Sequence, residues 1–312
     1  MPRVYVVGGY RPNGGAFMAY HLARILHLDF GFEGWAVRVD DESPDASVFE
    51  YQPVFPSITV EELPSVVRDE DILIANPSFS RLALGFTVNC WKVMYIQGFN
   101  TFDVLDLKFD LYVSVSNFVS QFVFNTYGIE TRVIPPFISA AEFPAPLPWS
   151  ARPTGSILVL NDKGDRRRQA AVLGRIQAHL RRHRPDIRLD DVVHGKARHR
   201  DFVARLGRTR HLLSLSPAEG FGLVPLEAMA MGTTVIGFDA FGGRDYMRPA
   251  VNCAAVPWPE VEDLAHWLTA LIDHPQQAES LAREGSLTAR RPEFTYDHFR
   301  ALWADQFTRF LG

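Results

Sequence analysis

Ser214-Leu215-Ser216-Pro217-Ala218-Glu219-Gly220-Phe221-Gly222-Leu223-Val224-Pro225-Leu226-Glu227-Ala228-Met229-Ala230-Met231-Gly232 decides how this chain is read. It follows an apolar strand-like run and opens a helix. Gly220 and Gly222 let the backbone approach a ligand closely, with Phe221 between them. Pro225 falls in the first helical turn, where its missing N–H costs nothing. The N–H groups of Gly222 to Leu223 and Val224 are then left without intrahelical partners. A helix N-terminus carries about +0.5 elementary charge, so this turn is an anion site that fits a phosphate.

Two glutamates flank that site with seven residues between them. A carboxylate has two acceptor oxygens and can grip vicinal hydroxyls. Glu219, beside the anion site, is placed for a sugar, and Glu227, about one turn deeper, for a ribose. The plainer alternative makes Glu219 a helix cap and Glu227 a surface charge. Glu227, however, sits among Leu226, Ala228, Met229 and Met231, a poor place for an idle carboxylate.

On either side of this stretch, short apolar runs alternate with helical patterns. Upstream, residues 4–7, 36–39, 71–75, 93–96, 111–115 and 132–134 read as strands, and 16–28 and 117–128 as helices. The alternation restarts with strands at 157–160, 191–193, 211–215 and 235–238 and helices at 166–182 and 222–231. Three helices close the chain, at about 260–273, 275–288 and 294–310. Such alternation predicts parallel sheets covered on both faces. Between the halves, six prolines fall within 135–155, a composition hostile to helix and central strand and read as a linker. The expected division is 1–140, a linker 141–155, 156–293, and a last segment 294–312. In doubly wound sheets ligands bind outside the carboxyl ends of the strands, so the default site is the space between two such domains.

Composition narrows the class. The 312 residues are 47% hydrophobic and 22% charged, as in a soluble globular protein, with room for two cores. The net charge of −4 disfavours a nucleic-acid partner. Residues 166–210 run the other way, with 14 Lys/Arg against 4 Asp/Glu. That basic run is either two solvated helix faces or a surface for an anionic ligand or a membrane. Cys90 and Cys253 form no CxxC pair, which points to a reducing cytoplasm. The N-terminus is too short in apolar residues for a signal peptide, and no window approaches a membrane span.

The Glu219–Glu227 run resembles the donor-site motif of the retaining GT-B glycosyltransferases of family 4. The resemblance extends to the opening strand and glycine loop, the Ser116 turn, the Val133-Ile134-Pro135 exit, and Thr234-Val235-Ile236-Gly237 leading to Gly242-Gly243. It implies an α/β GT-B fold, two Rossmann-like doubly wound domains facing each other across a cleft. The first would hold the acceptor and the second the sugar nucleotide, and the last helix would cross back to the first. It also implies a metal-independent hexosyltransferase that needs no cofactor beyond its nucleotide-sugar co-substrate. The acceptor would be a carbohydrate, lipid-linked or natural-product hydroxyl. By the same resemblance Glu219 contacts the donor sugar, Glu227 the ribose, and the amides of Gly220, Phe221, Gly222 and Leu223 the diphosphate.

The remaining candidates come from the same comparison and from residue chemistry. Gly14 and Gly15 open a helix after Gly8-Gly9 and could lend amides to the donor; their spacing does not fit the GxGxxG nicotinamide fingerprint. The leaving diphosphate needs a cation, and Lys163 and Arg168, with Arg167 next, occupy the corresponding place in Asn161-Asp162-Lys163-Gly164-Asp165-Arg166-Arg167-Arg168. Where the family often has a histidine lining the sugar pocket, this chain has Gln97, in an Ile96-Gln97 pair similar to rhamnosyltransferase-like members. Gln97 can hydrogen-bond a sugar but cannot shuttle a proton. This suits a front-face mechanism in which the leaving phosphate deprotonates the acceptor. It also leaves room for a catalytically silent relative that binds a sugar nucleotide or supports a partner transferase. A nucleotide-sugar epimerase would share the architecture without a reason for the glutamate pair. His179 and His183 have helical spacing, but the adjacent Arg181, Arg182 and Arg184 oppose a bound cation, so no metal is expected. His194-Gly195-Lys196 is either a nucleobase neighbour or a plain loop.

Overall fold

A computed structural model describes residues 1–8, 13–39, 54–160, 166–189, 191–193 and 198–311. The described chain divides into two compact units, Met1–Pro136 with Asp297–Gly312, and Phe137–Tyr296.

The first unit contains β1 (Arg3–Val7), α1 (Gly14–Phe30), β2 (Glu33–Arg38), β3 (Ser57–Thr59), α2 (Leu63–Val66), β4 (Ile72–Ala75), α3 (Leu84–Thr87), β5 (Trp91–Ile96), β6 (Leu111–Ser114), α4 (Asn117–Tyr127) and β7 (Arg132–Val133). Its seven strands form one sheet in the order β3-β2-β1-β4-β5-β6-β7, and every pairing is parallel. Parallel strands are covered on both faces, which is why β4 reads Ile-Leu-Ile-Ala and is buried throughout. Local signals set the helix ends. Asn13 Oδ1 accepts from the Ala16 amide at 2.9 Å, and Ser116 Oγ from Val119 at 3.2 Å. Gly31 and Gly128, at φ 74° and 70°, end α1 and α4 in the left-handed conformation that glycine adopts without strain.

The second unit contains β8 (Ile157–Leu160), α5 (Arg166–His183), β9 (Asp191–Val193), α6 (His199–Leu206), β10 (His211–Ser214), α7 (Leu223–Ala230), β11 (Thr234–Phe238), β12 (Ala254–Val256), α8 (Val261–Asp273) and α9 (Pro275–Ala289). Its parallel sheet has the order β12-β11-β10-β8-β9. Val159, Leu213 and Ile236 from the sheet pack with Ile176, Leu264 and Leu268 from the helices in a solvent-free core. The strand order reverses between β8 and β10, and a doubly wound sheet binds its ligand at that switch point. The loop leaving β10 is Leu215–Gly222.

The proline-rich segment is secured to the second unit. Leu147 donates its amide to Gly207 O at 2.9 Å. Arg152 is buried, and its guanidinium donates to the carbonyls of Leu147, Thr209, Met231 and Gly232 and to Thr233 Oγ1, at 2.7–3.2 Å. These bonds explain why residues 141–155 lie with the second unit.

The last helix, α10 (Tyr296–Leu311), belongs to the first unit from Asp297 onward. Phe299, Trp303 and Phe307 are fully buried, and Trp303 stands edge-on to Tyr95 at 5.3 Å. Burial of each ring stabilises by roughly 1.5–3 kcal/mol. Arg300 grips both Asp29 oxygens, at 2.8 and 2.5 Å.

Candidate functional site

The Leu215–Gly222 loop is held from behind by the turn that follows β11. Glu219 donates its amide to Ala240 O at 2.9 Å, and its carbonyl accepts from the Gly242 amide at 3.1 Å. Glu219 and Phe241 thereby form a parallel bridge. Ala240 and Phe241 take φ values of 51° and 67°, conformations that non-glycine residues rarely adopt. Gly242 packs flat against the loop: a Cβ on it would lie 2.1 Å from Gly220 O. No side chain at that position would leave the loop in place.

From the other side, Tyr246 fixes the turn into α7. Its hydroxyl, fully buried, donates to Gly222 O at 2.5 Å, and burial raises the phenol well above its ordinary pKa. Gly222 has φ 87°, and a Cβ there would press on that hydroxyl at 3.1 Å. With the Gly222 carbonyl turned into the protein, no side chain caps α7. Among the described residues the N–H groups of Gly222 and Leu223 have no protein partner. Phe221 is buried against Tyr246 and Phe294, with ring centroids 5.3 and 6.0 Å away. The loop therefore presents backbone N–H groups, without side-chain caps, at the positive end of a helix.

The two glutamates differ. Glu219 is half-buried at the edge of the loop. Glu227, on α7, is only 7% exposed, and its Oε1 lies 2.7 Å from Nε2 of His199 at the start of α6. The sequence predicted the carboxylate's burial but not its partner, which lies 28 residues away with no motif linking the two.

In the first unit, Gln97 and Gly15 meet. Gln97 Nε2 donates to Gly15 O at 2.8 Å, and its Oε1 would lie 2.7 Å from a Cβ on Gly15. The Gln97 amide thus holds the turn into α1, beside Gly14. Arg167 and Arg168 are exposed in the first turn of α5. Lys163, Gly9 to Pro12 and His194-Gly195-Lys196 lie outside the described residues. His179 packs on His183 and, from α8, on His266, at 4.5 and 4.8 Å between centroids. Among the described residues no group of three or more His, Cys, Asp or Glu is arranged to hold a metal ion. Among them, too, no helix is long and apolar enough to cross a membrane.

Residues 192–287 match the family model Glycosyl transferases group 1. The match spans both glutamates, the Leu215–Gly222 loop and His199. No curated protein matches the chain. Among solved structures it is similar over almost its whole length to HepE from Anabaena in complex with UDP and glucose, at 14% identity and a TM-score of 0.79, covering 99% of this chain and 100% of that one. It is likewise similar to a sucrose-phosphate synthase from Thermosynechococcus elongatus, at 15% identity and a TM-score of 0.69, covering 100% and 99%. A glycosyltransferase from Rickettsia africae gives 14% identity and a TM-score of 0.71, covering 99% and 98%. The fold is GT-B, an α/β architecture of two Rossmann-like units. The residues that match the family model lie in the second unit.

Proposed function

We propose that this chain is a glycosyltransferase that moves a sugar from a nucleoside diphosphate donor to a hydroxyl acceptor with retention of configuration, without a required metal. The observation that carries the reading is the open N-terminus of α7, whose Gly222 and Leu223 amides lie between the half-buried Glu219 and the buried Glu227. The amides take the diphosphate, Glu227 a ribose hydroxyl, and Glu219 the transferred sugar. Lys163, Arg167 or Arg168 supplies further positive charge to the leaving group. HepE, which shares the fold, was solved with UDP and glucose. This supports a uridine donor as the first to test.

In the proposed step the bond from the sugar's anomeric carbon to the phosphate oxygen breaks and one to the acceptor oxygen forms on the same face. The acceptor's hydroxyl proton passes to the leaving phosphate oxygen, so no protein base is needed at Gln97. Glu219 stabilises the positive charge that grows on the ring as the first bond lengthens. Acceptors of this chemistry are carbohydrate, lipid-linked or natural-product hydroxyls.

A thermal-shift screen against UDP, GDP, dTDP and ADP tests the donor site. A ligand at 100 times its Kd stabilises by about 2.7 kcal/mol. Absence of any shift, with calorimetry also silent, would remove the reading. Gln97 is already engaged by Gly15, which also fits a catalytically silent binder. Slow hydrolysis of the bound donor without acceptor separates the two, because a silent binder shows none.

A further inference from the structure

Glu227 is a carboxylate buried in α7 between Leu226 and Ala228, and a charge so placed needs a partner. The partner is His199. Its Nε2 lies 2.7 Å from Glu227 Oε1, and its side chain is 31% exposed against 9% for the glutamate. The imidazole begins α6, and its ring is steadied edge-on by Phe143 at 6.1 Å, in the proline-rich segment. Facing a carboxylate oxygen, Nε2 is the donor in the Nε2–H neutral tautomer and in the protonated ring.

The consequence concerns the ribose. A glutamate side chain has three rotatable bonds, and ordering them on binding costs affinity. Here Oε1 is already held from the α6 side, which sets the plane of the carboxylate and leaves Oε2 to accept from a ligand. We infer that His199 is a positioning residue for recognition of the ribose hydroxyls of a nucleoside diphosphate, acting through Glu227 rather than touching the sugar's reacting atoms. The inference rests on the donor site proposed above. It adds a specificity-determining residue outside the glutamate motif, brought to it only by the packing of α6 on α7.

The test compares each of UDP, GDP and ADP with its 2′,3′-dideoxy counterpart by calorimetric titration, using the full-length wild type and the variants His199→Ala, His199→Asn and His199→Gln. Pyrophosphate is titrated in parallel. Wild type is expected to lose about tenfold in affinity when the hydroxyls are removed, the scale of one charge-assisted hydrogen bond. His199→Ala should bind the parent nucleotide several-fold more weakly and its dideoxy form as well as wild type does, so that the discrimination falls below about threefold. His199→Asn, too short to reach Oε1, should match it and stands in if alanine loosens α6. His199→Gln, which restores an N–H donor at similar reach, should recover most of the discrimination. Pyrophosphate affinity should be the same in all four proteins. A merely structural role would weaken parent and dideoxy forms together. Discrimination retained by both His199→Ala and His199→Asn overturns the inference. Wild-type binding without discrimination leaves the donor reading standing and removes Glu227 and His199 from the ribose. Wild type that binds none of the nucleotides removes the donor reading itself.

Discussion

Gly242→Ala is a small change with a calculable effect on the Leu215–Gly222 loop. The added methyl would lie 2.1 Å from Gly220 O, 2.3 Å from Gly220 C and 2.6 Å from the Phe221 amide nitrogen. Ordinary contact begins near 3.4 Å, so the loop must retreat by about 1 Å or the turn after β11 must open. All three atoms are backbone, and no flexible side chain can absorb the clash. Because the Gly242 amide also holds Glu219 O, the retreat carries Glu219 with it. Overpacking of this kind costs about 1–3 kcal/mol, or a fall in Tm of roughly 2–4 °C for each kcal/mol in a unit of this size. A 1 Å misplacement near the chemistry can cost about a hundredfold in turnover. The assay pairs a thermal melt and diphosphate titration with steady-state transfer from the cognate donor. Gly174→Ala is the matched control: a Cβ there meets nothing within 4 Å, and alanine in mid-helix should stabilise by about 0.5–1 kcal/mol. If Gly242→Ala melts and turns over like Gly174→Ala, the close approach does not hold the loop and the site geometry is wrong.

Three further outcomes follow from other parts of the molecule. Glu219→Gln should reduce kcat by a large factor while free diphosphate binds within about threefold of wild type, because a lost charge at the sugar is felt chiefly in the transition state; wild-type turnover would remove Glu219 from the sugar. Burial, reinforced by Arg24 and Arg210 respectively, lowers the imidazoles of His21 in the first unit and His211 in the second to about 4. The folded protein keeps both neutral while the unfolded chain protonates near 6.5. Stability is therefore full above about pH 6.5 and falls toward pH 4, each histidine withdrawing about 2–3 kcal/mol by pH 4.5. Urea unfolding at pH 7.5 and 4.5 measures this, and His211→Asn should flatten the second unit's share. Arg152→Ala removes the guanidinium donors from four carbonyls and from Thr233 Oγ1, leaving Met231 O and Gly232 O without a donor among the described residues, and should destabilise the second unit by about 2–3 kcal/mol, read as a lower Tm; an unchanged melt would show that the proline-rich segment is not secured there.

Much of the fold was legible because parallel strands between helices must be apolar on both faces. Runs such as Ile72–Ala75 and Ile157–Leu160 therefore stand out from their surroundings. Elements that lack that signature were not foreseen. β3 (Ser-Ile-Thr) and β12 (Ala-Ala-Val) carry one large apolar residue each, too little to mark a buried strand, and α6 begins His199-Arg200-Asp201 inside a basic run that reads as solvated surface. The site divides the same way. The loop and α7 are written in glycines, a first-turn proline and two glutamates, all local features. Tyr246 on Gly222 and His199 on Glu227 join positions 24 and 28 residues apart. Those contacts come from packing, which one-dimensional spacing does not encode.

The division of the chain has a consequence for how it is made. Residues 1–136 share their unit with 297–312, so the intervening unit is, in topology, an insertion. The first unit is begun first on the ribosome and finished last, because Phe299, Trp303 and Phe307 are buried there and arrive only with α10. Until then Tyr95 lacks the ring that covers it and Asp29 lacks Arg300. The second unit, with its proline-rich segment already emerged, can fold while its host is still open. Chains truncated after residue 296 and tethered to the ribosome by a linker that lets α9 emerge should therefore protect the second unit from protease but not the first, reversing the usual N-terminal-first order of domain folding.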